Sequence, residues 1–143
     1  MSDLYETDFA LWSERQAAAL RRRAGNEIDW ENVAEEIESL GKSDRREIRS
    51  RLAVILTHLL KWQFQPDARS SSWRGSVVEN RNKIADLIDE SPSLRNYPGQ
   101  VLAKVYDDAR EVAEAETGLI VPGACPWTAE QVLDRKFWPE AAA

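Results

Sequence analysis

The chain is poor in the residues that most often carry chemistry. It has one cysteine, Cys125, and one histidine, His58, among 143 residues. A lone cysteine excludes an intrachain disulfide and any zinc site built on several thiolates. The reading for Cys125 is a partly buried structural thiol. Long apolar runs are also missing. The longest is Leu52–Leu56, far short of a membrane span. No phosphate-cradling glycine loop, nucleophile elbow, HExxH or EF-hand pattern occurs. The acidic start MSDLYETDF lacks a basic-then-apolar leader pattern, so a cytoplasmic protein without membrane contact is expected.

What the chain does have is charge, tryptophan and helical periodicity. The formal net charge is −6, which argues against broad nucleic-acid binding through phosphate neutralisation. The charges are segregated. Glu27, Asp29, Glu31, Glu35, Glu36 and Glu38 come without a basic residue between them. They are followed by Lys42, Arg45, Arg46, Arg49 and Arg51 with only Asp44 and Glu47 between. Neighbouring segments of opposite sign are expected to attract one another.

Apolar residues recur at three and four residues along most of the chain, which predicts helices. The first follows Thr7 or Asp8 as N-cap, runs through FALWSERQAAALRRRA and closes at Gly25. The second is capped by Asp29 and ends at Leu40 before a tight turn at Gly41. The third opens at Ser43 or Asp44 and reaches Gln65, where Pro66 stops it. A fourth runs from Trp73 to Glu90 behind the caps Ser70, Ser71 and Ser72. Ser91-Pro92 opens a short helical turn. The fifth spans Gly99 to Thr117 and closes at Gly118. Leu119–Pro126 is the one stretch with extended character. Thr128 and Gln131 match a capping box for a last helix, TAEQVLDRKFW, beyond which the alanine tail frays. The expected fold is all-α: one domain over residues 1–143, ordered from about 4 to 139, with five or six mostly antiparallel helices in a bundle.

Two polar constellations stand out. Antiparallel packing across Gly41 would bring Glu36 towards His58, as bundles do when they build metal or acid–base sites. The plainer alternative is a hydrogen-bonded pair that locks two helices. The second constellation is Arg69, Trp73 and Arg74 around three serines at a helix start, where backbone N–H groups and guanidinium forks favour an anion. Its plainer alternative is a joint of caps and packed aromatics. No catalytic residue and no cofactor is assigned by these patterns.

The stretches LYETDFALW, DWENVAEEIESLGKSDRREIRSRLAVILTHLLKWQFQPDARSSSWR, SPSLR, AEAETGL and CPWTAEQVLDRKFWP cover Leu4 to Pro139. They resemble the bacterial DUF29 family (domain of unknown function 29). The resemblance implies a small all-helical domain and no activity. The leading expectation is therefore a noncatalytic helical interaction or regulatory module, with a protein partner or a second copy. Trp12, Trp127 and Trp138 are the expected exposed contacts. The alternative is a metal- or anion-binding helical protein, with hydrolysis as its chemistry, using Glu36, His58 and Arg74. A third reading, nucleic-acid binding through Arg45, Arg46, Arg49, Arg69 and Arg74, runs against the acidic total.

Overall fold

A computed structural model describes residues 4–142. It contains α1 (Leu4–Thr7), α2 (Phe9–Arg22), α3 (Trp30–Phe64), α4 (Ser71–Glu90), α5 (Tyr97–Thr117) and α6 (Ala129–Leu133). Three 3-10 turns, Gly25–Glu27, Pro66–Ala68 and Pro92–Leu94, serve as joints. No strand occurs among the described residues, so Leu119–Pro126 is irregular, as its two prolines dictate. The fold is all-α. The first residues of the acidic start, Met1 to Asp3, and the last of the alanine tail, Ala143, lie outside the described residues.

The largest departure from expectation is α3. Gly41 does not turn the chain; a single helix of 35 residues passes through it. Gly41 is absent from the positive-φ positions, which are Arg23 and Gly118. A glycine inside a helix costs about 1 kcal/mol, and its neighbours here are good helix formers. Glu38 and Lys42 also sit in the favourable acid-before-base order one turn apart. One weak position is outvoted. A second difference is at the end of α2, where Arg23 rather than Gly25 takes the left-handed position, with φ 58°. Its N–H and that of Ala24 close onto Leu20 O and Ala19 O.

The chain divides into two compact units, Met1–Ser43 and Asp44–Ala143, with the division inside α3. In the first unit Asp8 caps α2 by accepting from Leu11 N at 3.0 Å. Tyr5, Phe9 and Trp12 pack ring against ring, with Tyr5 and Trp12 edge-on at 4.7 Å. Trp12 and Ala19 are buried. Gln16 donates to Glu27 O and accepts from Asp29 N, which ties α2 to the chain entering α3.

The second unit holds the main core. Leu52, Ile55, Leu56, Leu59 and Leu60 of α3 meet Val77 and Ile84 of α4 and Val105, Tyr106, Ala109 and Ala113 of α5. Helix α4 runs antiparallel to α3, because Arg51 bonds Asn80 at one end while His58 and Lys61 reach Trp73 at the other. Helix α5 runs parallel to α3, with Arg49 donating to Tyr97 and Lys61 paired to Glu116. Ser70 caps α4 by accepting from Trp73 N, Gly118 closes α5 with φ 72°, and both halves of the Thr128–Gln131 capping box are made. Helix α6 is shorter than expected, ending at Leu133. The tail is pinned where fraying was expected, since Ala142 N donates to Gln63 O at 2.9 Å.

Candidate functional site

The polar groups of the second unit gather where α3 ends and α4 begins. The last carbonyls of a helix have no partner within it. Here Trp62 O accepts from Arg69 Nε at 2.9 Å, and Gln63 O accepts from Ala142 N. The Arg69 guanidinium also lies over the Trp62 ring, 4.7 Å from its centroid. Trp62 in turn packs on Trp138 at 4.6 Å. Arg74 and Arg81 both sit over Trp138, at 5.1 and 5.2 Å. The result is a ladder in which a central pair of indoles, Trp62 and Trp138, is flanked by guanidinium groups, Arg69 on one ring and Arg74 and Arg81 on the other, each cation held by the negative face of a ring.

Arg81 is the anchor of this ladder. It is 3% exposed, donates through Nε to Val132 O at 2.8 Å and through Nη2 to Phe137 O at 2.9 Å. Burial pulls its pKa down to about 10, and Asp134 opposes that shift. It thus bolts the segment after α6 to the middle of α4. Sequence reasoning passed over Arg81, yet a signal existed. Val77, Arg81, Ile84 and Ile88 are spaced four, three and four, so the arginine occupies the phase of a core residue.

His58 lies beside the ladder. Its ring is 6.4 Å from that of Trp73, over which Lys61 Nζ sits at 4.7 Å. Its Nδ1 is buried and has no hydrogen-bond partner. Burial, followed by the nearby Lys61 cation, lowers its pKa below the ordinary 6.5, with Glu116 pulling the other way. A base whose pKa is lower when folded takes up its proton first in the unfolded chain. Stability therefore declines as pH falls through 6.5, until the folded pKa is passed. Urea midpoints of the wild type and His58→Phe should diverge over that window, with the wild type losing ground as acid is added. Parallel curves would place His58 in water.

The residues singled out from sequence separate into two groups. His58, Arg69, Trp73 and Arg74 all belong to the α3–α4 joint. Glu36 does not. It accepts a hydrogen bond from the Tyr5 hydroxyl, which raises the Tyr5 pKa to about 12. The reversal at Gly41 from which the Glu36–His58 pairing was expected is not made, since α3 is continuous there. Among the described residues no group of three or more His, Cys, Asp or Glu is placed to hold a metal ion. What the joint does offer is the buried, unpartnered Nη2 of Arg69, a donor that an anion would satisfy.

The basic residues considered for nucleic acid are largely occupied by aromatic rings. Arg49 donates to the Tyr97 hydroxyl, Arg45 sits over the Tyr97 ring, and Arg69 and Arg74 belong to the ladder. Cys125 is half-buried, its thiol donating to Trp127 O and pushed up in pKa by burial. The first unit carries a groove of about 560 Å³, lined by Trp12, Arg15, Gln16, Ala19, Ile28 and Asp29.

The exposed apolar contacts are not those expected from sequence. Trp12 and Trp127 are buried, and Trp138 is covered by the arginines. The exposed large apolar side chains of the N-terminal half of α3 are Trp30 at 61%, Ile37 at 64% and Leu40 at 68%, while Ile120, at 88%, and Phe9, Leu20, Val78, Val112 and Leu119 are exposed elsewhere.

Residues 4–138 match the family described as Domain of unknown function DUF29. The chain belongs to the DUF29 family. No curated protein and no solved structure matches it. The DUF29 match takes in both compact units and the whole arginine–tryptophan ladder, from Trp62 to Trp138. No helix of this DUF29 chain is long and apolar enough, among the described residues, to cross a membrane.

Proposed function

We propose that this DUF29 chain is a noncatalytic helical interaction module of a bacterial cytoplasm, with the N-terminal half of α3 as its contact surface. One observation carries the reading. The apolar stripe of α3 is fully buried at Ile48, Leu52, Ile55 and Leu59, each 0% exposed. The same stripe continues towards the N-terminus as Leu40, Ile37 and Trp30, and there it faces solvent. Covering a side chain of this size is worth roughly 1.5–3 kcal/mol, so three in a row make an adhesive face. The ladder supports the reading differently: its arginines lie over rings, and Arg69 and Arg81 donate to carbonyls, which suits a scaffold more than a reaction centre.

A photo-crosslinking amino acid at position 37, introduced into the full chain in its native cell, tests this. The expected result is a discrete crosslinked protein band that disappears in a Leu40→Asp background. The same probe at Glu79, exposed on α4, should give none. Equal labelling from both positions would overturn the reading, and so would no product from position 37.

A further inference from the structure

The α3–α4 joint lies wholly within the second unit, and its arginines are left without counter-charge. Buried polar atoms that lack a hydrogen-bond partner gather there: His58 Nδ1, Gln63 Oε1, Arg69 Nη2 and Arg81 Nη1. Among the described residues Arg110 Nε is the one elsewhere. Such atoms are rare in folded proteins, and each calls for a partner. A histidine can shed its charge to ease the cost; a guanidinium cannot. Arg81 is the sharper case, because it is only 3% exposed. Its Nε and Nη2 are spent on Val132 O and Phe137 O. The remaining end of the planar group, at Nη1, has donors and no acceptor. Among the described residues no carboxylate pairs with it. Glu116 is taken by Lys61, and the Asp134 carboxylate accepts from Lys136 N. Arg74 lies seven residues before Arg81 on α4, hence on the same face, and both guanidinium groups sit over the ring of Trp138. Arg74 is exposed, and among the described residues its side chain makes no hydrogen bond or ion pair.

We propose that this joint binds a small tetrahedral oxyanion of the phosphate class, held between the free end of Arg81 and the guanidinium fork of Arg74 beside Trp138. The site is independent of the interaction reading above. Guanidinium forks match the oxygens of a phosphate two at a time, which is why arginine is favoured wherever phosphate is recognised. The anion gives Arg81 Nη1 its acceptor and gives both arginines a counter-charge. Two cations that share one ring repel each other, and an anion between them turns that repulsion into attraction. Burial lowers the Arg81 pKa to about 10, and a bound anion acts against that shift. Arg74, held only by the ring, is the movable side of the clamp through which the anion enters from solvent. The ligand has no base to stack, because the indoles are occupied. Trp62 and Trp138 pack on one another, Arg69 lies over Trp62, and Lys61 lies over Trp73. A carboxylate fits less well, since it brings only two oxygens to two forks.

Isothermal titration of the purified full chain with inorganic phosphate, in a chloride buffer, tests this. Acetate and adenosine monophosphate are the comparison ligands. Phosphate should bind one to one with a Kd below about 1 mM, and acetate at least about tenfold more weakly. Adenosine monophosphate should gain nothing over phosphate. Arg74→Ala should weaken phosphate binding at least about tenfold. Arg95→Ala removes the same charge just past the Pro92–Leu94 turn that follows α4, and should leave the affinity unchanged. Both positions are exposed, and far-UV circular dichroism checks that each variant folds. A wild type without saturable phosphate binding overturns the proposal. Equal losses in the two variants overturn it as well, because binding then answers to net charge alone. Acetate as tight as phosphate would remove the tetrahedral anion. Adenosine monophosphate more than about tenfold tighter than phosphate would show a ring free to stack, and either result overturns the assigned ligand.

Discussion

Replacing Arg81 by leucine should cost this protein about 3–5 kcal/mol, read as a lower urea midpoint at unchanged m-value. The side chain is almost fully buried and holds two main-chain carbonyls, Val132 O and Phe137 O. Leucine fills part of the space but donates nothing. A hydrogen bond to a charged group is worth about 1.5–3 kcal/mol, and a buried acceptor left unpaired costs its desolvation. The ring of Trp138 loses one of its two cations as well. The damage should be local first. Amide exchange after α6 should quicken before the α3–α5 core responds, since Arg81 is what holds that segment to α4. Lysine restores a charge without the fork, and should recover only part of the loss. A leucine variant as stable as the wild type would mean that the carbonyls find other donors.

The second large effect compares two positions on one helix. Leu59 and Ile37 lie on the same apolar stripe of α3, yet one is 0% exposed and the other 64%. Leu59→Ala empties a site walled by α4 and α5 and should cost about 2–5 kcal/mol. Ile37→Ala, measured in dilute protein, should stay within about 0.5 kcal/mol of the wild type. Chemical denaturation of the two variants side by side decides it. Comparable losses would show that the exposed half of the stripe is covered within the chain itself.

Much of the fold was legible because local rules agreed with one another. Asp8, Ser70, Gly118 and the Thr128–Gln131 box each terminate a helix as their side chains or backbone preferences require. Gly41 misled because a glycine signals a turn only when the flanking pattern also stops. Here it did not stop: Ile37, Gly41, Asp44, Ile48, Leu52, Ile55 and Leu59 step by four, three, four, four, three and four without losing phase. A hairpin has no reason to preserve phase across its turn, so the continuity was the stronger evidence. The Glu36–His58 pairing had been inferred from that single reversal, which the continuous helix does not make. His58, Arg69, Trp73 and Arg74 were placed together because they are close in sequence. Trp138 was out of reach, because 64 residues separate it from Arg74 and nothing local records that they meet. The exposed tryptophans were misjudged for a related reason: composition names which residues are sticky, while burial depends on what the rest of the chain brings over them.

The uninterrupted run of α3 also constrains how the gene for this chain can change in length. A loop absorbs an inserted codon by bulging, but a helix passes it on as rotation. One extra residue near Ile55 would turn Leu52 by about 100° relative to Leu59 and Leu60, and two would turn it by about 200°. Seven would bring the faces back to within about 20°. Viable length variants between Leu52 and Leu59 should therefore differ by whole heptads, whereas the joint at Pro66–Ala68, being a turn, is free of that arithmetic.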